Sequence, residues 1–192
     1  MQKNENPIVL SAVLFIISVI VALLLAYTNS VTKDTIAENV IKEQNIAKKE
    51  VLASAETFAE VAYQDESGLV KAVYEGKDAS GKAVGWCVNV APNGYGGALD
   101  MMVGVLGDFT ISGVEVVSHS ETAGLGAKAQ DPAFSSQFAG KKTDLPLSVI
   151  KNGTPKDNEI VAISGATITS SAVKDGVNAA TAAVRGLNGG AK

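Results

Sequence analysis

The distribution of apolar residues divides the chain into three parts. Residues 8 to 27 form an uninterrupted run without a charged side chain, long enough to cross a bilayer as a helix. From residue 31 to about residue 63 there is no glycine or proline, and apolar residues recur at helical spacing among Glu and Lys: Ile36, Val40, Ala47, Val51 and Phe58. This pattern predicts an amphipathic stalk helix that continues the first helix and packs on a folded domain.

The third part is rich in turns, because all 19 glycines lie between Gly68 and Gly190. Short segments rich in Val and Ile predict strands at residues 69–74, 83–90, 98–105, 109–118 and 159–163. Short turns between consecutive strands favour antiparallel pairing. A last helix is predicted from about residue 171 to 185, with Gly186 just past its end and one apolar face: Val173, Val177, Ala180 and Val184.

The predicted fold class is α+β, with an N-terminal transmembrane helix and one domain that has a mainly antiparallel sheet flanked by helices. Its parts are a short cytoplasmic tail (1–7), an anchor (8–27), the stalk helix (28–65), the domain (66–187) and a tail (188–192). A cleaved signal peptide is the alternative to the anchor, but typical signal cores span only about 7–15 apolar residues. Basic residues flank the run on both sides, so orientation is taken from the six residues before Pro7, which favour a cytoplasmic amino terminus and an extracytoplasmic domain.

Charge and residue counts exclude several classes of site. The 16 basic and 20 acidic side chains give a net charge of −4, which argues against a nucleic-acid binder. The single cysteine, Cys87, excludes an internal disulfide, a Cys-based zinc site and a Cys-ligated iron–sulfur cluster. With His119 the only histidine, we predict neither a metal site nor a catalytic acid–base group, and we expect Cys87 and Trp86 to be core residues.

Two glycine-bearing segments have structural and functional interpretations. Asn93-Gly94-Tyr95-Gly96-Gly97 is by itself typical of a turn between strands. The segment from His119 to Lys128 has the Gly124-x-Gly126-x-x-Ala129 spacing of a dinucleotide fingerprint, but Pro132 would break the long helix that such a site requires. His119 is expected to be a hydrogen-bonded structural residue, since no G-x-S-x-G elbow accompanies it.

The third segment, Ser164-Gly165-Ala166-Thr167-Ile168-Thr169-Ser170-Ser171, lies between a predicted strand and the last helix. Small residues and hydroxyls before a helix supply N–H groups, side-chain donors and the positive end of the helix dipole, which together bind anions such as phosphate. An ordinary Ser or Thr helix cap explains the same residues. From the residues alone, both interpretations stay open.

Taken in order, these motifs resemble the FMN-binding domain family. The residues that carry the resemblance are Gly94, Tyr95, Gly96 and Gly97, then His119, Glu121, Thr122, Gly124, Leu125 and Gly126, then Ser164, Gly165, Ala166 and Thr167 with Thr169 and Ser170 behind them. With the N-terminal anchor, they are similar to the G subunits of Rnf electron-transport complexes and, next, to the homologous C subunits of the sodium-pumping NADH:quinone reductase. Ala123 departs from the pattern, which commonly has proline there.

The resemblance implies covalent FMN, attached by a phosphoester to Thr167. It implies that Ser164, Gly165, Ala166 and Thr169 surround the phosphate, and that the two earlier motifs, Gly94–Gly97 and Glu121–Gly126 without Ala123, cradle the ring or ribityl chain. Lys128 is expected either near the ring or in solvent. The flavin carries the electron chemistry, so no general base or metal is needed beside it.

The implied setting is a membrane-bound ion-translocating complex that passes electrons between ferredoxin and NAD, coupled to Na⁺ or H⁺ movement. Partner subunits would carry the ion path, because the single span has no ionisable residue. A flavin transferase using FAD and Mg²⁺ would attach the FMN. Two alternatives are a C-type subunit of the quinone reductase and, from another class, a membrane-tethered scaffolding domain without redox chemistry.

Overall fold

The computed structural model describes residues 7–65 and 67–187. The chain forms two units, residues 1–42 and 43–192. The first helix, α1 (Pro7–Val51), begins in the first unit and ends in the second. In the first unit none of its apolar part is buried, and this part is long and apolar enough to cross a membrane. The predicted tails lie outside the described residues, apart from Pro7.

The second unit is built on a five-stranded antiparallel sheet with strand order β1-β2-β3-β4-β5. The strands are β1 (Thr57–Val61), β2 (Val70–Lys77), β3 (Ala83–Val90), β4 (Asp100–Leu106) and β5 (Ile111–Ser118). A 3₁₀ turn (Gly126–Gln130) and α2 (Pro132–Ser135) follow. A short parallel pair, β6 (Ser148–Ile150) and β7 (Glu159–Val161), precedes the last helix, α3 (Thr167–Leu187). The predicted α+β class with a mainly antiparallel sheet is confirmed.

Both faces of the sheet are covered, which explains why the middle of β4 is buried at every position. Alternate side chains of a strand point to opposite faces. Met101, Val103 and Val105 belong to the main core together with the predicted apolar face of α3, whose four residues are all buried. Met102 and Cys87 face the other way and pack on the end of α1 and the turn after it, through Val51, Leu52 and Ala55.

Glycines in the sheet make room for the end of α1. A Cβ at Gly104 would lie 2.3 Å from the Val51 carbonyl oxygen, and one at Gly76 would lie 2.5 Å from Leu52 Cδ2. The hydroxyl of Ser112 donates a hydrogen bond to the same Val51 carbonyl. The backbone of α1 therefore rests directly on the sheet, at a distance that only glycine allows.

The predicted stalk helix is wrong beyond Val51. The chain turns over residues 52–54 and enters β1, which pairs along its length with β2, so Phe58 is a strand residue. Ile36 and Val40 are exposed, and the predicted apolar stripe is buried only from Ala47 onwards. This turn contains neither glycine nor proline, so no local stop signal marks it, although residues 57–61 contain the β-formers Thr, Phe and Val.

The last helix is longer than predicted at both ends. It begins at Thr167 rather than near residue 171, and it continues through Gly186 to Leu187. Gly186 has open space around it, so an exposed glycine stands inside the last turn instead of ending the helix. The earlier start places Thr167, Ile168 and Thr169 in the first turn of α3.

Cys87 is fully buried on β3, as predicted for a core residue, and burial raises its thiol pKa to about 12. At pH 8 only about one thiol in 10⁴ is then ionised, and the thiolate is the reactive form. We expect the native chain to be inert towards a thiol-specific reagent such as DTNB at pH 8, and the chain unfolded in guanidinium to react with one equivalent. Rapid reaction of native protein, measured by absorbance, would contradict this burial.

Candidate functional site

The three glycine-bearing segments meet at one open cleft of about 560 Å³. One segment connects β3 to β4, the second follows β5, and the third connects β7 to α3. This volume is in the range of ligand-binding clefts. The cleft is lined by Tyr95, Glu121, Thr122, Leu125, Gly126, Gly165, Ala166, Thr167, Ile168 and Thr169.

Thr167 is exposed at the first position of α3 and opens into this cleft. The preceding residue, Ala166, has no side-chain oxygen to cap the helix, and the first N–H groups of a helix have no partner within it. The Ser170 hydroxyl donates to the Ala166 carbonyl and accepts the Ile163 N–H, both at 2.9 Å. Ser170 thus fixes the helix start to the end of β7 and leaves the N–H groups of the first turn to the cleft.

The carboxylate of Glu121 joins all three segments. Its Oε1 accepts the backbone N–H of Gly96 at 3.1 Å, and its Oε2 accepts the hydroxyl of Thr169 at 2.9 Å. The backbone N–H of Glu121 donates to Nδ1 of His119 at 3.1 Å, so His119 is a hydrogen-bonded structural residue, as predicted. The accepted bond requires an unprotonated Nδ1, which places the proton of a neutral His119 on Nε2.

Large apolar side chains stand exposed at the mouth of the cleft. Tyr95 is 73%, Ile168 58% and Leu125 43% exposed. Leu125 also approaches the loop before α3, since a Cβ at Gly165 would lie 3.1 Å from its Cδ2. The cleft therefore combines a polar floor at the start of α3 with an apolar rim, an arrangement that suits a ligand with a phosphate and a flat ring.

Not all of the candidate residues line the cleft. Ser164 and Lys128 lie together in a neighbouring depression, while Gly94, Gly96, Gly97 and Gly124 shape the loops without contributing to the lining. Thr169 is 1% exposed and donates its hydroxyl proton to Glu121, so this hydroxyl has no proton left for a phosphate oxygen. Ile168 was not predicted, because only the true helix start places it at the rim.

Within residues 7–65 and 67–187, no group of three or more His, Cys, Asp or Glu side chains could hold a metal ion. Cys87 and Trp86 are not among the residues that line the cleft.

Comparison with known proteins places these features in a family. The sequence pattern of the FMN-binding domain matches residues 94–182, and that of the RnfG N-terminal region matches residues 3–60. The G subunit of the Na⁺-translocating ferredoxin:NAD⁺ oxidoreductase complex of Acetobacterium woodii is 41% identical over 88% of this chain and 87% of its own length. This chain belongs to the G subunits of ion-translocating oxidoreductase complexes, the Rnf family. The G subunit of the Methanosarcina acetivorans complex is 37% identical over 93% of this chain and 94% of its own.

The quinone-reductase proteins named by the resemblance are more distant from this chain than these Rnf relatives. The C subunit of the Na⁺-translocating NADH-quinone reductase of Vibrio campbellii is 30% identical over 64% of this chain and 49% of its own length. The crystal structure of Shewanella oneidensis NqrC, at 26% identity, covers 67% of this chain and 66% of its own with a TM-score of 0.52. The crystal structure of the C subunit from Parabacteroides distasonis, at 20% identity, shares the fold with a TM-score of 0.55 over 77% of this chain and 92% of its own.

Proposed function

We propose that this chain is the covalently flavinylated electron-carrier subunit of a membrane-bound Rnf complex, which transfers electrons between ferredoxin and NAD and couples this transfer to Na⁺ or H⁺ translocation. The other subunits of the complex are its partners. The proposal rests on one observation: the exposed hydroxyl of Thr167 lies at the uncapped start of α3, inside the cleft of the FMN-binding domain. FMN, when bound, supplies the redox chemistry, and the protein positions it.

The charges of the cleft support a covalent link. None of its lining residues is Lys or Arg, and Glu121 is negative. The N-terminus of an exposed helix stabilises an anion by only about 0.3–1 kcal/mol. A phosphate held by these groups alone would dissociate readily, whereas an ester to Thr167 keeps it in place through every turnover.

The residues that line the cleft then have separate roles. Thr167 Oγ forms the new bond to phosphorus, the pyrophosphate bond of FAD breaks, and AMP departs with the hydroxyl proton; a flavin transferase with Mg²⁺ catalyses this step. The N–H groups of the first turn of α3 donate to the phosphate oxygens. Tyr95, Leu125 and Ile168 offer apolar surface to the ring.

The proposed location is the cell membrane, with a cytoplasmic amino terminus and the flavin domain on the extracytoplasmic side. The apolar part of α1 supports a single-pass anchor. Because no Asp, Glu, Lys, Arg or His stands in the apolar run, the ion path is assigned to partner subunits.

Intact-mass measurement tests the covalent link. We expect the full-length chain, co-expressed with an active flavin transferase, to gain the mass of one FMN less one water, and peptide mapping to place the gain on the peptide that contains Thr167. The same chain without the transferase is the control and should be colourless and unmodified. An unmodified chain from its native host would contradict the proposal and would leave a membrane-tethered binding domain.

A further inference from the structure

The three loops of the cleft are joined by a single side chain. Glu121 bonds Gly96, 25 residues earlier in the chain, and Thr169, 48 residues later. Both carboxylate oxygens are engaged, so the position and the orientation of the charge are fixed. The loops that follow β3 and β5 of the five-stranded sheet and the loop that follows β7 of the two-stranded sheet are thus joined through one carboxylate.

The glycines around Glu121 are explained by the carboxylate itself. A Cβ at Gly94 would lie 2.1 Å from Oε1 of Glu121, and one at Gly126 would lie 2.3 Å from Oε2 and 2.8 Å from Thr169 Oγ1. Neither glycine has a positive φ. Gly94 and Gly126 therefore leave open the space that the carboxylate occupies, and a side chain at either position would have to displace it.

This carboxylate also dominates the charge of the cleft. Glu121 is the only Asp, Glu, Lys or Arg among the lining residues, and within the described part of the chain it takes part in none of the ion pairs. Its Oε2 receives the hydroxyl of Thr169 in the first turn of α3, where the helix dipole stabilises a negative charge. A fixed negative charge raises the energy of adding an electron to a nearby group.

We propose that Glu121 is a positioning residue that holds the three loops around the cleft and that its negative charge lowers the midpoint potential of the flavin bound there. This inference rests on the proposed function, since it requires flavin in the cleft. The negative charge opposes each electron that the flavin receives. Because both carboxylate oxygens are hydrogen-bonded to the protein, the charge has a fixed position relative to the cleft.

The decisive variant is Glu121→Gln, which removes the charge and can keep both bonds. The amide oxygen can accept the Gly96 N–H, and the amide nitrogen can donate to the Thr169 hydroxyl. We expect the full-length variant, loaded by the flavin transferase, to retain its flavin and its melting temperature. At a given applied potential, the ratio of reduced to oxidised flavin should be at least tenfold higher than in wild type. This corresponds to a rise in the midpoint potential of about 30 mV for a two-electron couple.

Two variants serve as controls in the same redox titration. Glu60→Gln removes an exposed carboxylate from β1, at the opposite edge of the sheet from β5, and should leave the midpoint potential unchanged. Thr169→Val removes one bond of Glu121 but keeps the charge, so it should lower the melting temperature with a much smaller change in potential than Glu121→Gln. A potential that moves equally in Thr169→Val and Glu121→Gln would overturn the role of the charge.

The hydrogen bonds by which Glu121 joins the loops can also be tested without flavin. In the unloaded chain the Gly96 amide should exchange its hydrogen more slowly in wild type and Glu121→Gln than in Glu121→Ala, which has no acceptor. Equal exchange in all three would overturn the positioning role. Loaded Glu121→Gln with an unchanged potential, or a Glu121→Gln chain that takes up no flavin while Thr169→Val does, would overturn the effect on potential. Failure of the proposed function itself is distinct, because the wild-type chain would then carry no flavin.

Discussion

Replacing Thr167 with alanine is expected to abolish covalent flavin completely. The variant should be colourless after denaturation, should have the mass of the unmodified chain, and should fold normally, because the Thr167 side chain is exposed and makes no side-chain hydrogen bond among the described residues. The physical reason is that Thr167 Oγ is the atom that forms the phosphoester, and alanine has no side-chain oxygen. Intact mass and in-gel flavin fluorescence measure the result.

The matched control is Thr154→Ala, which removes an exposed hydroxyl from the loop between β6 and β7, outside the lining of the cleft. Its flavin content should equal that of wild type. Thr167→Ser keeps the attacking oxygen and should keep at least part of the modification. Flavin that remains bound to denatured Thr167→Ala would show that another residue carries the ester and would contradict the assignment.

Replacing Gly104 with alanine is expected to destabilise the folded domain by about 1–3 kcal/mol, the usual cost of forcing extra atoms into a packed interior. The new Cβ would lie 2.3 Å from the Val51 carbonyl oxygen and from Ser112 Oγ. The end of α1 must therefore move away from the sheet. Urea denaturation followed by circular dichroism measures the loss in the free energy of unfolding.

Gly107→Ala is the control for the added methyl group, because Gly107 follows the same strand and a Cβ added there would have nothing within 4 Å. Its unfolding free energy should stay within about 0.5 kcal/mol of wild type. Equal stability of the two variants would mean that α1 does not rest on the sheet at Gly104.

Local patterns were sufficient for the central strands and for the buried face of α3. β3 occupies the predicted residues, since Gly and Asn turns bound it and its core is rich in Val. The end of α1 was missed because a helix here stops without glycine or proline, at a point set by packing on Gly104 and Gly76. That packing joins residues that are far apart in the chain, which no local pattern reports.

For the site, the three motifs predicted which segments lie close together, but not which of their side chains face the cleft or which hydrogen bonds join them. Tyr95, Leu125 and Thr167 line the cleft. Ser164 turns towards a neighbouring depression, and the hydroxyl of Thr169 binds Glu121 instead of facing the cleft. Hydrogen bonds between residues 25 and 48 positions apart depend on the tertiary fold, so the bridging role of Glu121 could be seen only in the structure.

The contact between the end of α1 and the sheet determines where the chain can be shortened. Ala47, Val51 and Leu52 shield Cys87 and Met102 from water. A truncated protein that starts at β1 would expose this apolar surface to water and would tend to aggregate. Cutting after the apolar run but well ahead of Ala47 removes the anchor and retains the shield, and this is the boundary that a water-soluble version of the domain requires.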